Sequence, residues 1–64
     1  MARKYVWIVT KCEDGKTATV VWHSKTMEDA RKVASGLDFG NFEGPCPLDM
    51  YPIGATFAIE DADA

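Results

Sequence analysis

Tyr5 to Cys12 reads Tyr-Val-Trp-Ile-Val-Thr-Lys-Cys, and Thr17 to His23 reads Thr-Ala-Thr-Val-Val-Trp-His. Both segments are rich in β-branched and aromatic residues, the side chains that fit a pleated surface. Between them lies Glu13-Asp14-Gly15-Lys16, whose Asp-Gly pair suits the positive φ angles of a type I′ turn. The spacing predicts an antiparallel hairpin with strands over 5–12 and 17–23. Successive residues of a strand point to opposite faces, and in the first strand both sets are apolar: Tyr5, Trp7 and Val9 on one side, Val6 and Ile8 on the other. Whatever this chain folds into must cover both faces of that strand.

The segment after the hairpin carries helix signals. Thr26 can cap with its hydroxyl, Glu28 and Asp29 put negative charge into the first turn, and Asp29 stands where a capping box has its acid. Met27, Ala30, Val33, Ala34 and Leu37 recur at three- and four-residue spacing as one narrow apolar stripe, while Glu28 and Lys32 can pair on the solvent side. Gly36 offers a stop in the left-handed conformation. The pattern predicts a helix over 27–35, resting on a sheet because isolated helices this short are marginal.

Asp38 to Pro52 contains Gly40, Gly44, Pro45, Pro47 and Pro52, and no helical or strand period survives that punctuation. It reads as a long loop over 38–52 that carries Phe39, Phe42, Leu48, Met50 and Tyr51, and loops of such length in compact domains are often functional. Ala55, Phe57 and Ile59 then alternate with Thr56, Ala58 and Glu60, which predicts a strand over 54–60 followed by an acidic tail at 61–64. The expected assembly is a single α+β domain over 1–64, β-β-α-β. Its three-stranded antiparallel sheet, in the order 2-1-3, packs on one helix, with the long loop between helix and last strand. One helix covers one face, so the loop aromatics or a partner must cover the other.

Arg3, Lys4, Lys11, Lys16, Lys25, Arg31 and Lys32 all lie in the first half, whereas the second half carries Asp38, Glu43, Asp49, Glu60, Asp61 and Asp63 and no base. A net charge of -3 conceals this split, which bears on association and not on fold. At 64 residues the chain buries only about 60% of the surface it exposes when unfolded, which leaves little room for a deep catalytic pocket. No apolar run has the length of a transmembrane helix, and Met1 to Lys4 lacks the apolar stretch of a secretory signal, so the expectation is a cytoplasmic protein without membrane contact. Two cysteines, Cys12 and Cys46, are expected as free thiols.

Catalytic constellations do not emerge. His23 with two distant cysteines has no zinc spacing, and no cofactor is expected. Cys46 between Pro45 and Pro47 reads as a packed thiol, not a nucleophile with a base and an oxyanion hole. Asp38-Phe39-Gly40 lacks the surroundings of a kinase, and the Gly36, Gly40, Gly44 spacing lacks the lysine and hydroxyl of a phosphate cradle. The chain therefore reads as a non-enzymatic binding protein. The expected contacts are Asp38, Phe39, Phe42, Glu43, Asp49, Met50 and Tyr51, with Glu60 and Asp61 steering a basic partner electrostatically. A second reading is a single-stranded nucleic-acid binder that stacks bases on Tyr5, Trp7 and Trp22 beside Arg3, Lys4 and Lys11; the acidic balance argues against it. A third is a homodimeric structural or regulatory subunit closing its sheet face or edge on a second copy.

Thr26-Met27-Glu28-Asp29-Ala30 at the helix start and Tyr51-Pro52-Ile53-Gly54-Ala55-Thr56-Phe57 ahead of the last strand resemble the small bacteriophage proteins that inhibit bacterial RNA polymerase. The layout of hairpin, helix and last strand is similar as well. The resemblance implies a non-catalytic inhibitor that docks in the DNA channel of a polymerase inside the host cytoplasm. Family members place functional arginines on the last strand, where this chain has Thr56, Ala58 and Glu60, and the stretch from Gly40 to Leu48 is inserted relative to them.

Overall fold

The computed structural model describes residues 3–58. It is an α+β fold with one helix and a four-stranded antiparallel sheet. The strands are β1 (Tyr5–Lys11), β2 (Thr17–Ser24), β3 (Gly40–Pro47) and β4 (Thr56–Ala58), and the helix α1 is Met27–Ser35. Across the sheet the order is β3-β1-β2-β4. This corrects the expected three strands in the order 2-1-3. The segment expected as a loop over 38–52 contains β3, which takes the edge of β1, so the last strand pairs with the outer edge of β2 instead. Of the strand expected over 54–60, Thr56–Ala58 is seen; Ile59, Glu60 and the tail at 61–64 lie outside the described residues.

The β1–β2 hairpin closes differently from the expected type I′ turn. Gly15 has a positive φ of 74° but Asp14 does not, and residues 12–16 form a longer loop. The Asp14 carboxylate organises it by accepting the backbone N–H groups of Lys16 and Thr17, each at 2.8 Å. Those two bonds hold the carboxyl below the ordinary aspartate range, Thr17 contributing most. Farther along, Val9 faces Trp22 and Thr10 faces Val20, so Val21 is an extra residue that bulges β2.

α1 begins as its residues suggest, with Thr26 Oγ1 accepting from the Asp29 N–H at 3.1 Å. Its end corrects another expectation. Gly36 is right-handed, with φ −84°, and the last turn tightens through i→i+3 bonds from Gly36 to Val33 and from Leu37 to Ala34. The chain reverses three residues later, at Phe39, whose φ is 60°. Its carbonyl then accepts the Cys12 N–H at 3.2 Å, which ties the reversal to the end of β1.

β3 tolerates its prolines because it is an edge strand, paired with β1 alone. Val6 faces Cys46 and Ile8 faces Glu43, so Gly44 and Pro45 together stand opposite Trp7. The indole of Trp7 lies against Gly44, where a Cβ would come within 3.0 Å of the ring. At the free edge the Phe42 N–H donates to the side-chain oxygen of Asn41 at 2.9 Å, and Pro45 and Pro47 have no N–H to offer.

Both faces of β1 are covered. On one side Val9 packs with Ala30 and Ala34 of α1, joined by Trp7, Val21, Val33, Leu37 and Phe42. On the other side Ile8, Val20 and Cys46 form a second cluster under Val6, Tyr51, Ala55 and Phe57. The returning chain is fastened along the outer edge of β2, beside this second face. The Val20 N–H donates to the Ala55 carbonyl at 2.9 Å, and the Gly54 N–H donates to the Val20 carbonyl at 2.8 Å. Tyr51 and Phe57 meet edge to face, with ring centroids 5.7 Å apart. Of the expected loop aromatics, Tyr51 does the covering together with Phe57, whereas Phe42 lies on the helix side against Trp7.

Candidate functional site

The helix packs most heavily on β3 and β1 and least on β2. The face it covers holds Trp7, whose ring is half-buried 6.3 Å from that of Phe42. That placement bears on the base-stacking surface expected from Tyr5, Trp7 and Trp22, because Trp7 is partly buried against the helix-side cluster. Tyr5 and Trp22 remain exposed at the two sides of the covered zone. The nearby cations are also engaged. Arg3 forks onto Asp49, Nε to Oδ1 at 3.1 Å and Nη2 to Oδ2 at 3.2 Å, and Lys11 pairs with Glu13 at 2.8 Å. Lys4 stays exposed.

Those same pairs rearrange the acidic half of the chain. Asp49 sits beside Arg3, whose hydrogen bond holds its carboxyl below the usual range. Asp38 lies close enough to Lys11 to favour the protonated amine, behind the larger effect of Glu13. Both bridges are exposed and contribute little to stability. Among the described residues Glu43 makes no ion pair. The acids expected to act together thus separate into one paired, one near a lysine and one unpaired. Glu60 and Asp61 lie outside the described residues.

A groove of about 610 Å³ opens on the face opposite the helix. Its origin is legible in residue size. Under Tyr51 that face is built from Ile8 and Val20, but at the hairpin end its upward-pointing residues are Thr10, Cys12 and Ala18, too small to fill the space. Phe39 stands at one side, Asn41 and Glu43 line the β3 rim, and Tyr51 with Phe57 forms the opposite wall. Phe39 is 69% exposed. Of the expected contact residues the groove therefore gathers Phe39, Glu43 and Tyr51. Met50 is exposed on the 3₁₀ turn beyond β3, and Phe42 points to the other face.

Thr10, Cys12, Ala18, Asn41 and Phe57 also line the groove without having been expected there. A signal existed in the run of small residues at alternate positions on two paired strands. Cys12 and Cys46 are free thiols; burial, and secondarily the charge of Glu43, pushes the Cys46 thiol up, so it is poorly nucleophilic. Among the described residues no three His, Cys, Asp or Glu side chains converge as metal ligands, and no helix is long and apolar enough to cross a membrane. No family model, curated protein or solved structure matches this chain.

Proposed function

We propose that this protein is a non-enzymatic binding module that docks on a basic surface of a larger, nucleic-acid-handling protein. The observation that carries this reading is Phe39. A non-glycine residue at positive φ costs roughly 1–2 kcal/mol, and asparagine or glycine would fill the position more cheaply. The side chain recovers little of that by burial, since it stays largely in solvent beside the groove. An exposed aromatic in a costly conformation, next to an unpaired carboxylate, fits a contact surface better than a packing role. The free edge of β3 is poor in donors, so at that edge recognition runs through side chains and not through strand addition.

The resemblance to phage inhibitors extends the proposal to a phage or mobile-element protein that acts on RNA polymerase or another host nucleic-acid enzyme by occlusion. The test is retention from nuclease-treated bacterial lysate on the tagged protein, with Glu43→Lys and Phe39→Asn in parallel. One basic protein held at low salt, released at high salt and lost with both variants is the expected result; equal retention by wild type and variants refutes the assignment.

Self-association is favoured by one separate observation. The helix leaves the β2 side thinly covered, and Trp22 is 50% exposed there. Sedimentation across a concentration series reads it directly: a constant monomer removes this second reading.

A further inference from the structure

We propose that the groove on the face opposite the helix is the seat for an arginine side chain of the partner, with Glu43 as its counter-ion and the rings of Phe39 and Tyr51 as its walls. This rests on the reading of the protein as a module for basic surfaces and specifies the contact. Three features of the groove select the occupant. Its lining includes Glu43 but no lysine, arginine or histidine, and no lysine or arginine follows Lys32 in the chain. The carboxylate has no cationic partner among the described residues. Its walls are aromatic on both sides.

An apolar side chain seated here would desolvate Glu43 without compensation, which is strongly unfavourable for a carboxylate. A phosphate or nucleic-acid backbone would meet like charge. A cation satisfies the carboxylate and gains from the ring faces. Between the two basic side chains, arginine matches better: its guanidinium is flat, stacks on aromatic rings, and presents two parallel donors to a carboxylate, whereas lysine offers a strongly hydrated point charge. The space also suits a side chain with its flanking backbone, being within the range of small-ligand clefts. Asn41 fits beside it. Its amide oxygen accepts the Phe42 N–H, and its amide nitrogen is a donor that a peptide carbonyl can use.

The experiment is a titration of the isotope-labelled protein, followed by NMR, with acetyl-Ala-Arg-Ala-amide. The citrulline tripeptide, equal in shape but uncharged, and the lysine tripeptide are the comparisons. The expected result is saturable shifts at Phe39, Asn41, Glu43 and Phe57, with dissociation constants about tenfold weaker for citrulline and for Glu43→Gln, the loss expected for one charge-assisted contact. Glu43 is exposed and the replacement isosteric, so the variant keeps its fold, which its own spectrum verifies. Equal affinity for arginine and citrulline, or for arginine and lysine, overturns the assignment. Shifts confined to Asp38 and Asp49 overturn it too while leaving basic-surface docking in place. A hexa-arginine peptide that moves no resonance at low salt removes both.

Discussion

Gly40 is where the end of the helix is seated on the edge strand, and replacing it by alanine tests that contact. A Cβ at this position would collide with the carbonyl oxygen of Ala34 and lie 2.9 Å from the Leu37 Cβ. The obstacle is backbone at the last turn of α1, so it cannot swing aside as a long side chain would. Overpacking of this kind costs roughly 1–3 kcal/mol or more. A chain of this size has a net stability of about 3–10 kcal/mol, so Gly40→Ala removes a large part of it. Gly36→Ala is the internal control. That residue is right-handed, its Cβ would find only ordinary contacts at 3.6 Å and beyond, and alanine is the better helix former, so stability rises by about 0.5 kcal/mol. Thermal unfolding by far-ultraviolet circular dichroism reads both. At roughly 4–8 °C per kcal/mol, Gly40→Ala lowers the midpoint by about 4–24 °C, while Gly36→Ala raises it slightly. Midpoints within about 2 °C of each other would refute the close seating of α1 on β3.

Phe39→Asn relieves the left-handed penalty and stabilises by about 0.5–1 kcal/mol, measurable as a higher urea midpoint, even as it removes the proposed contact. Ser24 is buried and its hydroxyl has no partner among the described residues, so Ser24→Ala gains about 1 kcal/mol; a loss by the same assay would mean that the hydroxyl has a partner. The depressed Asp14 carboxyl predicts an acid sensitivity: the stabilisation is full above the unfolded aspartate value, near 3.9, and fades as pH falls through the lower folded value. Asp49, held down by Arg3, adds to the same window, and Asp14→Asn should flatten the urea midpoint profile below about pH 4. Half-buried Cys12 should react with a maleimide well before buried Cys46, which reacts on the timescale of unfolding; similar rates would contradict the packing of β3 on β1.

The hairpin and the helix were legible because their signals are local: β-branched runs around a Gly-containing turn, and a Thr cap ahead of an apolar stripe. β3 was not, because Gly40, Gly44, Pro45 and Pro47 remove donors and break periodicity, and only pairing with β1 makes a strand of them. The polar-apolar-polar order of Asn41, Phe42 and Glu43 was the available hint. Missing β3 displaced β4, since the edge of β1 then appeared vacant. Phe39, Glu43 and Tyr51 were named from composition, but their convergence depends on the reversal at Phe39 and on the return of the chain over β2. The charge segregation along the chain is partly undone in space, where Arg3 reaches Asp49 across the fold.

β1 has a strand on each side and a layer on each face, yet of these neighbours only β2 follows it closely in sequence. The helix that covers Val9 comes later, and the segment that roofs Ile8 and Val20 comes last, at Tyr51 to Phe57. During synthesis the hairpin must therefore wait with an apolar face open until nearly all the described chain exists. Pairings between distant segments are slow to form, and an uncovered β-branched hairpin is a ready template for another copy. Yield in the cell should thus respond to temperature and expression rate before it responds to equilibrium stability.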